Sequence, residues 1–193
     1  MNSPTVNPQD VLDFWFGPAP VARARAEWFR KDPAFDALIR DQFSSTIEQA
    51  LSQQLHSWRT AAAGKLALIL LLDQFTRNTR RNTPHAFAGD ARALQLAQEM
   101  VALGQDQELS VWQRWFAYLP YEHAESREVQ AHSLQLFARL AQPDAAMADA
   151  HAWAVKHAQV VQRFGRYPHR NLVLGRVSTA EELIFLAQPG SAF

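Results

Sequence analysis

Residues 66–72, Leu-Ala-Leu-Ile-Leu-Leu-Leu, form an unbroken apolar run. A segment that is apolar on every side has to be surrounded by other elements, so it constrains the fold more than any other stretch. Such a run suits either a strand or a buried helix. No alternating apolar–polar pattern occurs elsewhere to pair with a strand, and an isolated strand would leave its backbone donors and acceptors unsatisfied. The run therefore predicts a central buried helix within residues 60–75. It is far shorter than the roughly 20 residues that cross a bilayer.

Helical signals fill the rest of the chain. Asn7-Pro8 and Asp32-Pro33 read as N-caps followed by proline at the first helical position. Phe35, Leu38, Ile39, Phe43, Ile47, Ala50 and Leu51 then follow at helical spacing. Thr83-Pro84 opens a helix running to Gly104, and Ser110 caps another that Pro120 interrupts. Val129, Leu136, Phe137 and Leu140 mark the next. Asp144 caps one that runs to Gly165, and Ser178-Thr179-Ala180-Glu181 reads as a capping box. About eight helices with short connections predict an all-α array of antiparallel hairpins. The chain has 193 residues, 48% of them hydrophobic, with 6 Trp and 12 Phe. That fits one all-α domain over residues 1–193. The tripeptide Asp-Gln-Phe occurs at residues 41–43 and again at 73–75, too little to establish a repeat.

Formal net charge is zero and there is no cysteine. General nucleic-acid binding, disulfides, thiolate chemistry and cysteine-liganded zinc are therefore not expected. No signal peptide opens the chain, so a cytoplasmic protein is the expectation. The charge is unevenly spread. No acid lies between Asp149 and Glu181, where Lys156, Arg163, Arg166, Arg170 and Arg176 stand with His151, His157 and His169. A second acid-free stretch, between Asp73 and Asp90, holds Arg77, Arg80, Arg81 and His85.

The densest part is residues 163–171, Arg-Phe-Gly-Arg-Tyr-Pro-His-Arg-Asn, where Gly165 and Pro168 bend the backbone. Converging guanidinium groups repel unless an anion or carboxylates neutralise them, and their forks suit phosphate or carboxylate oxygens. Two readings stay open: a site for a small anionic ligand, or arginines bound to the protein's own acids. Glu122, Glu125 and Glu128 are the candidate compensating acids, expected on one helix face, with His123 between carboxylates. No metal site is expected, because no His-x-x-x-His or His-Glu-x-x-His pair occurs. No cofactor is expected either, since phosphate loop, nucleophile elbow and dinucleotide fingerprint are all missing.

Asp73-Gln74-Phe75-Thr76-Arg77-Asn78, His123-Ala124-Glu125, Arg163 through Asn171, Leu174-Gly175-Arg176 and Ser178-Thr179-x-Glu181 resemble a bacterial family catalogued as domain of unknown function 924. Trp28-Phe29-Arg30-Lys31-Asp32 and Phe35-Asp36 extend the likeness over nearly the whole chain. The family usually has Pro at Thr76, which bears on the turn expected to aim Arg77, and Phe at Tyr167. The resemblance implies an all-α, tetratricopeptide-like array and no particular activity. From the residues, the candidate ligand contacts are Arg77, Asn78, Arg163, Arg166, Arg170, Asn171 and Arg176. His123, Glu125 and His169 are the candidate proton carriers for hydrolysis or group transfer. The alternative is a helical scaffold that binds a peptide or partner protein.

Overall fold

The computed structural model describes residues 6–18, 24–142 and 145–191. Its elements are α1 (Pro8–Phe16), α2 (Pro33–Leu51), α3 (Ala62–Ile69), a π-helical turn (Leu70–Phe75) and α4 (Thr76–Thr79), then α5 (Asp90–Ala102) and α6 (Val111–His123). They continue with α7 (Arg127–Ala141), α8 (Ala148–Phe164) and α9 (Ala180–Leu186). The α3 helix, the π turn and α4 form one continuous rod, so the described residues hold eight rods and no strand. None of the described helices is long and apolar enough to cross a membrane.

The chain divides into two compact units, Met1–Arg81 with His85–Pro120, and Asn82–Pro84 with Tyr121–Phe193. In the first, the apolar run lies at the centre, and Leu66, Ala67, Ile69, Leu70 and Leu71 are fully buried. Both α1 and α5 pack against α3. Trp15 reaches between Phe75 and Phe116, 5.5 Å from each ring centroid. The expected caps form here. Asn7 and Asp10 make a reciprocal capping box, and Asp32 accepts from the amides of Ala34 and Phe35. Ser110 and Gln113 cap each other's backbone in the same way.

Two boundaries differ from the sequence reading. Thr83-Pro84 leads into a 3-10 turn, Pro84–Phe87, and the α-helix starts only at Asp90. Gly89 explains the delay: a Cβ there would lie 2.2 Å from the Leu72 carbonyl oxygen, so the chain touches the central rod before it coils. Pro120 does not interrupt α6, which runs on to His123. A proline removes one backbone bond, and here only three residues follow it before the helix ends.

In the second unit α7 and α8 pack side by side. Their buried residues include Phe137, Leu140, Ala150, Ala154 and Val161. Val160, Val161 and Tyr167 form a core that Phe164 and Phe185 flank. Gly165 ends α8 in the left-handed region, at φ +73°. Two expectations shift. Glu122, Glu125 and Glu128 do not share a helix, because Ser126 caps a new one and accepts from the Val129 amide. The final capping box is Thr179 with Glu182, one residue later than Ser178 with Glu181. Asp144 lies outside the described residues.

Candidate functional site

The segment after Gly165 is held by carboxylates of its own unit. Arg166 forks onto Glu182 with Nε at 2.6 Å and Nη2 at 2.8 Å, and also donates to the Val177 carbonyl. Glu182 accepts the Thr179 amide as well, and these partners hold its carboxyl down at about pKa 2. Arg176 forks onto Glu125 at 2.6 and 2.9 Å. It also donates to Asn171 Oδ1 and to the Tyr167 carbonyl. Burial works against a charged Glu125, yet the Arg176 fork and the Tyr167 amide outweigh it and keep its carboxyl below the usual range. Asn171 donates on to Ser178 Oγ at 3.0 Å and Glu182 Oε2 at 3.3 Å. Arg163 pairs with Glu181 in the open, 2.8 Å apart.

Behind this network lies a buried polar cluster built around the Tyr167 ring. The Tyr167 hydroxyl donates to the Glu122 carbonyl and accepts from Gln130 Nε2. The Arg170 guanidinium sits over the ring, 4.5 Å from its centroid, and Arg170 is buried. The imidazoles of His157 and His169 each lie 5.6 Å from the ring, and His123 lies 6.3 Å from His157. His157 Nδ1 is 2.9 Å from the Trp153 carbonyl and 3.2 Å from Glu122 Oε1. A carbonyl only accepts, so Nδ1 carries the proton and the neutral ring keeps its lone pair at Nε2. Burial, with His123 and Arg170 adding to it, lowers the His157 pKa to about 3. Burial and Arg170 lower that of His169 to about 4. Burial pushes the Tyr167 phenol well above its ordinary value.

The remaining candidates, Arg77 and Asn78, belong to the first unit. Arg77 forks onto Asp90 at 2.9 Å, meets Asp73 Oδ1 at 2.9 Å and donates to the Asp73 carbonyl at 2.8 Å. Asn78 donates to buried Asp36, which also takes the Arg81 fork. Thr76 makes no turn. It continues the rod, and its hydroxyl donates to the Leu72 and Asp73 carbonyls. The motif at residues 73–78 thus continues a π turn into α4, with its side chains bonded back to the rod's own carbonyls. Among the described residues, no group of three or more His, Asp or Glu is placed to hold a metal ion.

Besides Tyr167 and Glu182, two participants were not among the sequence candidates, His157 and Gln130, both buried, and Ser133 lies buried one turn from Gln130. The signal for them was a polar residue at a core position of an amphipathic helix. His157 recurs with Ala154, Ala158 and Val161, and Gln130 and Ser133 with Phe137 and Leu140.

An all-α protein with a buried Arg–His–Tyr cluster beside a network of arginine–carboxylate forks is the class these observations define. The family described as bacterial protein of unknown function (DUF924) matches residues 11–190, and the chain belongs to it. It is similar to the solved structure of a protein of unknown function from Agrobacterium tumefaciens. The two are 38% identical over 93% of this chain and 96% of that one, with a TM-score of 0.84. No curated protein matches the chain.

Proposed function

We propose that the second unit binds a small phosphate- or carboxylate-bearing ligand at the cluster of Arg170, His123, His157 and His169. The observation that carries this reading is a buried guanidinium seated over Tyr167 among three imidazoles. Clusters of ionisable groups with perturbed pKa values concentrate at functional sites. In this proposal Arg77, Arg163, Arg166 and Arg176, with Asn78 and Asn171, hold the fold. Glu125 positions the loop, and His123 and His169 are the proton carriers for any hydrolysis or group transfer. A cytoplasmic setting, rich in such anions, completes the reading.

Arg170 and Arg176 balance Glu122 and Glu125 while His157 and His169 stay neutral. An arriving anion brings negative charge that the imidazoles match by taking up a proton. Binding raises the His169 pKa from about 4, so affinity rises as pH falls from 7 towards 5. Phosphate is expected to raise the melting temperature beyond chloride at equal ionic strength, more strongly at pH 5.5 than at pH 7.5. At a hundredfold excess over Kd the gain is about 2.7 kcal/mol. His169→Gln is expected to flatten the pH dependence. No rise beyond that in chloride at either pH ends this reading.

A second reading, docking of a peptide or protein, draws on one observation. Leu172 and Val177 are 91% and 88% exposed, and Leu183 and Ile184 on α9 are also exposed. Exposed apolar side chains of this size mark interaction surfaces when they are contiguous. Leu172→Ser with Val177→Ser would then abolish partner capture and leave phosphate binding unchanged.

A further inference from the structure

Gln130 and Ser133 stand one turn apart on α7 and are almost wholly buried, at 3% and 0% exposure. The Gln130 amide nitrogen is fully engaged. It lies 2.7 Å from the Glu122 carbonyl, 2.8 Å from that of Ala124 and 2.9 Å from the Tyr167 hydroxyl. Flipping the amide would set its oxygen against two carbonyl oxygens, so the orientation is determined by its partners. Gln130 Oε1 is therefore the atom left over, buried, and it only accepts. Among the described residues, neither Gln130 Oε1 nor Ser133 Oγ has a hydrogen-bond partner. An acceptor buried without a donor is destabilising, and folds retain few such atoms. Both lie on the helix that holds Tyr167, whose ring carries the Arg170 contact.

Building on the anion reading above, we infer that the ligand carries a hydrogen-bond donor beside its anionic group, a hydroxyl received by Gln130 Oε1 and Ser133 Oγ. The ligand class is thereby narrowed to small hydroxylated anions, such as hydroxy acids or phosphorylated polyols. A site built around buried acceptors rejects the analogue lacking the donor, because the acceptors are then left unpaired. An anionic group alone would need only Arg170 and the imidazoles.

The test uses matched pairs that differ in hydroxyl content: malate against succinate, and glycerol 3-phosphate against propyl phosphate. Affinities are measured by calorimetry on the full chain at constant ionic strength, with inorganic phosphate as the common reference. The expected result is a preference of about tenfold or more for the hydroxylated member of each pair. Ser133→Ala is expected to reduce that preference without lowering the melting temperature, since it removes a buried hydroxyl that has no partner. Gln130→Met is expected to reduce it as well, and where that variant fails to fold, Ser133→Ala decides. Equal affinity within each pair while phosphate still binds overturns this inference and leaves the anion reading standing. It is also the result expected if an internal water is the sole occupant. A preference that survives in Ser133→Ala overturns it too. Failure of phosphate and of every probe to bind removes both readings.

Discussion

Tyr167 ties three parts of the second unit together through one residue. Its amide donates to Glu125, its carbonyl accepts from Arg176, its hydroxyl bridges Gln130 and the Glu122 carbonyl, and its ring carries Arg170. Tyr167→Phe keeps the ring, the backbone bonds and the Arg170 contact, and deletes only the hydroxyl. The Glu122 carbonyl retains its bond from Gln130, so no buried backbone oxygen is orphaned. The expected cost is about 1 kcal/mol, read as a lower urea midpoint at unchanged slope. A loss several times larger would mean that the hydroxyl organises the whole cluster.

At the scale of elements, the central rod is well supported at one end and poorly at the other. Around its π turn, the Thr76 and Arg77 side chains donate to the Leu72 and Asp73 carbonyls. At its start, the N-cap residue Ala61 has extended backbone and no capping side chain, and the first turn carries no acid. Four amides at a helix start lack intrahelical partners, and the positive dipole end favours a negative charge. Ala61 is exposed, so a larger side chain has room. Ala61→Asp is expected to stabilise the protein by about 1 kcal/mol, visible as a higher melting temperature. An unchanged or lower value would show that the amides of this helix start are already satisfied.

Across the molecule, the two units differ in how they meet acid. In the second, His157 and His169 have pKa values lowered from 6.5 to about 3 and about 4. The unfolded chain therefore binds protons that the folded unit refuses. Their contribution is fully present above pH 6.5 and is lost progressively as pH falls towards the folded values, each tenfold difference in proton affinity being worth about 1.4 kcal/mol. In the first unit, Asp32 and Glu99 are lowered from 3.8 and 4.5, by the Phe35 amide and by Arg59 respectively, so their contribution is lost only below those values. Hydrogen exchange at pH 5 against pH 7, corrected for intrinsic rates, is expected to show protection falling first in α7 and α8. Equal loosening of α3 and α5 at pH 5 would contradict this order.

The elements were legible in the sequence because local chemistry decides them. Asn7, Asp32 and Ser110 cap where their side chains can reach their own helix amides, Gly104 and Gly165 stop helices by adopting positive φ, and an all-round apolar run had to be central. The acid-free stretches and the density of arginines were equally visible. Their partners were not. Whether Arg166 meets Glu182 or Arg77 meets Asp90 depends on chain segments 16 and 13 residues apart folding back on each other. Pro120 passing inside a helix and the one-residue shift of the last capping box were likewise settled by packing and by the arginine fork on Glu182. The buried cluster was hidden for the same reason: His157 and Gln130 occupy positions that helical periodicity assigns to core. Only the approach of α7, α8 and the loop after Gly165 turns those positions into a polar interior.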